Sequence, residues 1–183
     1  MATTAAGTPY VEASDLVAGY PAVSLALANH IDTLGKVVQM VSVQTSAVAT
    51  GTTITPVDDT IPQITEGDQY MTLAITPTSA SNILVIEVMA LISAASTTRY
   101  LTVALHVGVT ADALTCSVST IQTAWIFSTP LTHIVTAGTT SALTFRVRVG
   151  PDTADTVTFN GVLGARRFGA LPKSSMRITE YTP

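Results

Sequence analysis

The sequence predicts an all-β chain, an antiparallel jelly-roll-like β-sandwich preceded by a short N-terminal helical segment. Three observations carry this expectation. Apolar and polar residues alternate with period two through successive runs, the pattern of half-buried strands. Threonine supplies about one residue in six and, with Val and Ile, favours extended backbone. Clusters of Gly, Pro, Asp and Ser separate the runs, as turns between short strands require. The boundaries fall at residues 1–35, an extended and helical segment, and 36–183, the sandwich.

Residues 1–9 are small and polar, and the composition changes at Tyr10. Ser14 is placed to cap a short helical turn through Asp15, Leu16 and Val17, which Gly19 interrupts. Pro21 suits the first turn of a helix that runs to Leu34, with Gly35 as its stop. Val23, Leu27, Ile31 and Leu34 form one apolar stripe along it, with Ser24, Asn29 and Asp32 off the stripe. A helix of about four turns is marginal alone and needs a surface to lie on. That surface is either the chain's own β domain, or symmetry mates and another protein.

Strands account for the remainder. Residues 36–45 carry Val37, Val38, Met40, Val41 and Val43; a Thr- and Gly-rich loop at 49–53 leads to Pro56 and Pro62 around Asp58 and Asp59. The central stretch, 51–95, organises the domain. Met71, Leu73 and Ile75 point one way, and Tyr70, Thr72, Ala74 and Thr76 the other. After a polar loop at 77–82, Leu84, Ile86 and Val88 share a face, and the two runs read as an antiparallel pair. Val85 and Met89 on the second face predict a strand covered on both sides. Residues 99–108 place Leu101, Val103, Leu105 and Val107 inward and Thr102, Ala104 and His106 outward. A weaker strand spans 111–123, and 124–136 includes Trp125 with Pro130 as an expected bulge. In 142–149, Phe145, Val147 and Val149 face in while Thr144, Arg146 and Arg148 face out. Runs at 156–168 and 174–181 complete the set.

Charged residues make up only 11% of the chain, and the mean hydropathy is +0.46. Glu87 breaks the best apolar window, so no run reaches the roughly 18 residues of a membrane helix, and no membrane partner is expected. Apolar surface hidden between subunits is the expectation that remains. Residues 1–98 hold eight acids and one base, Lys36, whereas residues 99–183 hold seven bases and four acids. No polybasic run exists, which argues against nucleic acid; acidic surface meeting basic surface on neighbouring copies fits the asymmetry. The start of the chain lacks the basic and apolar regions of a secretory signal. Cys116 is the only cysteine and reads as a plain strand residue, consistent with assembly in a reducing compartment.

Catalytic chemistry finds no support. Asp58, Asp59, Glu66 and Asp68 are the one dense carboxylate group, but they lack calcium-loop spacing and read as solvated loop acids. His30, His106 and His133 sit in no zinc motif, no nucleophile elbow surrounds any Ser, and no phosphate-cradling Gly-rich run occurs. Arg166 and Arg167 read as an outward turn or a salt-bridge donor to another subunit. Trp125 and Tyr100 are the aromatics to inspect for a sugar site, with burial in the core or in an interface between copies the expectation for Trp125. No catalytic, cofactor or metal residue is assigned, and no cofactor is expected.

A resemblance enters with short segments in order along residues 50–181. Ile54-Thr55-Pro56, Asp58-Asp59-Thr60-Ile61-Pro62-Gln63, Thr65-Glu66-Gly67-Asp68 and Ile75-Thr76-Pro77 resemble a module of tailed-bacteriophage structural proteins. So do Ala137-Gly138-Thr139-Thr140-Ser141, Arg146-Val147-Arg148-Val149-Gly150, Phe159-Asn160-Gly161, Phe168-Gly169 and the run 174–180. The leader, at 10–17 and 20–24, looks like the opening of phage minor tail or fibre proteins. The resemblance implies a non-enzymatic virion protein, assembled in the host cytoplasm and displayed on the particle as a homotrimer. Its implied partners are its own copies and other tail or capsid proteins, held through residues 1–35. A capsid decoration protein and a module binding host surface glycan are the alternatives. The motifs specify turns and strands, so no functional residue carries over.

Overall fold

The computed structural model describes residues 2–3, 9–10, 24–25, 35–96 and 98–183. The helix expected at 21–34 lies outside the described residues except for Ser24 and Leu25, which are helical. Strands β1 (Ala2–Thr3) and β2 (Pro9–Tyr10) pair antiparallel with each other, in a stretch without strand periodicity. Next come β3 (Val37–Thr45), β4 (Ala49–Gly51), β5 (Asp68–Ile75) and β6 (Ile83–Ala94). They are followed by β7 (Arg99–Val107), β8 (Thr115–Ile121), β9 (Phe127–Thr136) and β10 (Leu143–Pro151). Short strands β11 (Val157–Phe159), β12 (Gly161–Val162) and β13 (Ala165–Arg166) precede a 3-10 turn at Phe168–Ala170 and the last strand, β14 (Ser174–Tyr181). Among the described residues no helix is long and apolar enough to cross a membrane.

The long strands fall into two antiparallel layers. One is β5-β10-β7-β8; in the other β6 is flanked by β14 and then β3 on one edge and by β9 on the other. Counted along the chain, these eight strands are ordered 1-8-3-6 in one layer and 2-7-4-5 in the other, a jelly roll. The short β11 and β4 extend the β3-β14-β6-β9 layer beyond the end of β14. Between the layers lie Leu84, Ile86 and Val88 of β6, Leu101, Val103 and Leu105 of β7, Phe145, Val147 and Val149 of β10, and Met176 and Ile178 of β14. Each such side chain contributes about 1.5–3 kcal/mol by leaving water. The faces read from the alternation in β6, β7 and β10 are therefore the observed ones, and the structure adds the inner face of β14.

Pairing is where the structure departs from the sequence reading. β5 and β6 are not a hairpin: β5 pairs β10, β6 pairs β14, β9 and β11, and the loop at 77–82 crosses between layers. Periodicity records which residues are buried but not which strand lies alongside. Tyr70 belongs to the inner face as well. A bulge opposite Val147 and Arg148 leaves it unpaired, and its ring stacks on Phe159 at 4.8 Å. Pro130 makes no bulge; it sits in unbroken register on β9, which pairs only with β6 and so needs no second set of donors. The run at 156–168 is three short strands, because Asn160 takes a left-handed backbone (φ 57°). Among the described residues nothing fully covers the second face of β6, where Val85 is half-buried and Met89 exposed.

The crossing at 77–82 is fixed by a buried carboxylate. Glu180 follows Met176 and Ile178 on the inner face of β14 and is fully buried. Its Oε1 accepts the Thr78 amide at 2.8 Å, the Thr78 hydroxyl at 2.9 Å and the Asn82 amide group at 2.6 Å; Oε2 accepts Gln39 Nε2 at 2.5 Å. Burial pushes this carboxyl up, but the hydrogen bonds from Gln39, Asn82 and Thr78 outweigh it and hold the group at about 2 instead of 4.5. The stabilisation is therefore complete above pH 4.5 and is lost as pH falls toward 2. Glu180→Gln turns an amide N–H toward these donors and should cost about 3 kcal/mol at neutral pH. Urea unfolding checks it, and the gap between wild type and variant should narrow at pH 3.

Candidate functional site

The loop at 52–67, between β4 and β5, lies as a strap on the outer face of the β5-β10-β7-β8 layer. Three backbone bonds hold it, Thr55 N to Pro151 O at 2.9 Å, Ile64 N to Ala111 O at 2.7 Å and Ala113 N to Pro62 O at 2.9 Å, while Gly67 N to Ile54 O at 3.2 Å closes the loop on itself. Arg148 adds two more, donating to the carbonyls of Glu66 at 2.9 Å and Gly67 at 2.6 Å. Arg146 donates to Gly108 O at 2.9 Å. The two arginines do point out of the sandwich, as alternation requires, but Arg148 meets the strap instead of water. Close approach depends on Gly67 (φ 62°), where a Cβ would stand 2.8 Å from the Val149 carbonyl carbon.

Thr102, Ala104 and His106, read as outward residues, are buried on this strapped face. Neither His106 nitrogen has a hydrogen-bond partner of normal geometry among the described residues, although the Asp112 backbone lies near enough to favour the charged ring. Burial, and then the Arg148 charge, push its pKa down, so the ring is neutral and its contribution to stability is lost as pH falls below the ordinary 6.5. The acids that the sequence groups together serve the strap's turns. Asp68 accepts the Thr53 amide and hydroxyl, both at 2.9 Å; Asp58 accepts those of Thr60 at 2.8 and 2.6 Å; Glu66 accepts the Gln63 amide at 3.0 Å. Asp59 faces solvent. Among the described residues no group of three or more His, Cys, Asp or Glu is arranged to hold a metal ion.

Three surfaces expose large apolar side chains. The first is the outer face of the β3-β14-β6-β9 layer, where Met40 and Ile134 (59% and 64% exposed) end a cross-strand row through Thr179 and Val85. A trough of about 440 Å³ runs beside it over Met89 and Pro130, crossed by the Arg177–Glu87 ion pair at 2.6 Å. The second is a groove of about 420 Å³ between strap residues 58–62 and β8, with Cys116 exposed on its wall. The third is a cleft of about 310 Å³ between Trp125, in the β8–β9 turn, and Arg167 and Phe168. Trp125 is thus 65% exposed and outside the core, because it sits in a turn and not in the strand that follows. Tyr100 is exposed but is not part of that cleft. His133 is half-buried on β9, with its pKa pushed down by burial; His30 lies outside the described residues.

Two residues with large structural roles were missed in the sequence, though each left a signal there. Glu180 interrupts an apolar inner face, which marks a buried charge needing partners. Asn160-Gly161 is a turn dipeptide inside a strand-like run. Asn160 Oδ1 accepts the Ser174 amide at 3.0 Å and hydroxyl at 2.7 Å, and its Nδ2 donates to Thr45 O at 3.0 Å.

No protein-family model matches the sequence, and no curated protein does. Among solved structures the chain is similar to that of infectious bursal disease virus Gx strain, with TM-score 0.37 and 8% identity, over 80% of this chain and 41% of that one. It is similar also to the infectious bursal disease virus VP2 subviral particle, with TM-score 0.36 and 9% identity, over 78% of this chain and 39% of that one. A third likeness is to the enzymatically active domain of bacteriophage CBA120 tailspike protein 4, with TM-score 0.27 and 14% identity, over 69% and 19% of the two chains. The chain spans about two fifths or less of each of these structures. Likenesses this distant carry no functional argument.

Loss of the Arg148 guanidinium should release the strap. Arg148→Ala leaves two carbonyls without donors and should cost about 2 kcal/mol. Limited proteolysis within 52–67 should speed up, and urea unfolding measures the destabilisation.

Proposed function

We propose that this chain is a non-enzymatic structural protein of a bacteriophage particle. It is displayed on the surface as a fibre-associated or minor tail component, self-associates as a homotrimer, and is held to its neighbours through residues 1–35. The observation that carries the reading is the exposure of large apolar side chains on three separate surfaces of one sparsely charged sandwich. Surfaces of this kind are covered in use by protein, either other copies or the proteins of a larger assembly. The resemblance of residues 50–181 to tailed-phage modules supports the particle as that assembly. A decoration protein on a capsid would use the same surfaces at far higher copy number, and counting copies on purified particles separates the two. Host glycan binding has one observation in its favour, the exposed Trp125 beside Arg167 and Phe168.

Two measurements test the main reading. Mass photometry at micromolar concentration should show a trimer; a stable monomer contradicts it. Deletion of residues 1–35 should leave a folded, trimeric β domain that no longer joins particles, scored by complementation and gel analysis of purified virions. Incorporation at normal copy number would place the attachment in the sandwich instead.

A further inference from the structure

The segment at 163–173, leading from β12 through β13 to β14, has a conformation and a surface that the sandwich itself does not use. Leu163 (φ 50°), Phe168 (φ 50°) and Ala170 (φ 65°) are all left-handed, a backbone that L-residues with side chains avoid. The result is that Phe168 and Leu171 stand 76% and 80% exposed. Arg166, Arg167 and Lys173 surround them, and no acid occurs between Asp155 and Glu180. Among the described residues none of these three bases has a carboxylate partner. The loop is an apolar tip in a basic collar.

Its complement lies on the other layer. The groove between strap and β8 is lined by the apolar side chains of Ile61, Pro62 and Leu114, with Ile61 53% exposed and Asp58 and Asp59 on its rim. Asp58 spends Oδ1 on the Thr60 turn, and Asp59 makes no hydrogen bond among the described residues, so both retain free carboxylate oxygens. The groove is bonded to the β7–β8 side of the four-stranded layer, while the loop follows β11 of the other layer. Complementary patches on different layers satisfy each other between copies, in a head-to-tail contact that closes into a ring when the rotation allows.

Resting on the self-association reading above, the geometry points to a specific interface: the 163–173 loop of one copy seats Phe168 in the strap groove of the next, with Arg166 and Arg167 facing Asp58 and Asp59. An acidic peptide or anionic glycan would meet the same loop but not the groove, so the contact is tested from both sides. Arg166→Glu with Arg167→Glu should weaken self-association at least tenfold, as should Asp59→Arg with Asp58→Asn, which keeps the turn acceptor. Combining all four changes should restore it. Phe168→Cys should give a disulfide-linked oligomer with native Cys116 under mild oxidant, lost when Cys116→Ser is added. Circular dichroism confirms folding of each variant. Wild-type-like oligomers from both charge variants, with no cross-link, would overturn this interface while leaving self-association intact. A monomeric wild type would overturn the self-association reading and this interface with it.

Discussion

The sandwich depends on how its last strand is held at both ends. β14 lies between β3 and β6, and buried polar hubs fix its two termini. At one end Glu180 gathers donors from the 77–82 crossing and from Gln39 of β3. At the other, Asn160 receives Ser174 and donates to Thr45 O and Ala47 O. Apolar packing alone is tolerant of strand slippage, whereas a buried carboxylate with four named donors is satisfied in one register only. These hubs thus join chain segments that are far apart in sequence, the kind of contact a jelly roll requires before its layers close.

A second constraint acts on the opposite layer. The outer face of β10 and β7 is roofed by the strap, whose carbonyls Arg148 satisfies and whose turns are capped by Asp58, Asp68 and Glu66. Carboxylates that serve as turn acceptors are no longer grouped toward one point, which is why their density in the sequence does not become a metal site. The roof also isolates His106 from water and keeps it neutral. One face of the sandwich is therefore finished within the chain, while the outer face of the β3-β14-β6-β9 layer is left with Met40, Met89 and Ile134 toward solvent.

This asymmetry gives the protein its character. The strapped layer presents an acidic, apolar-lipped groove, and the other layer ends in a basic, apolar loop held in a strained conformation. Strain at such a loop persists only where the surrounding structure over-determines it, here through the Asn160 hub at its base.

Alternation alone identified the apolar faces of β6, β7 and β10, because side chains on a strand point to opposite sides whatever its neighbours are. Abundant Thr and the turn-residue clusters between the runs likewise pointed to the all-β class. The pairing of strands was not legible: β5 and β6 look like a hairpin because a short polar loop joins them, and only the carboxylate of Glu180, 98 residues beyond Asn82, shows that this loop crosses between layers. Tyr70 and Trp125 were misplaced for a related reason, since a bulge and a turn each shift a side chain relative to its period. The sequence by itself thus determined the apolar faces of the long regular strands, a property of each strand taken alone. The tertiary structure decided which strands touch, where the strap lies, and that basic and acidic surfaces stand on opposite layers, because these depend on contacts between distant segments that no local pattern records.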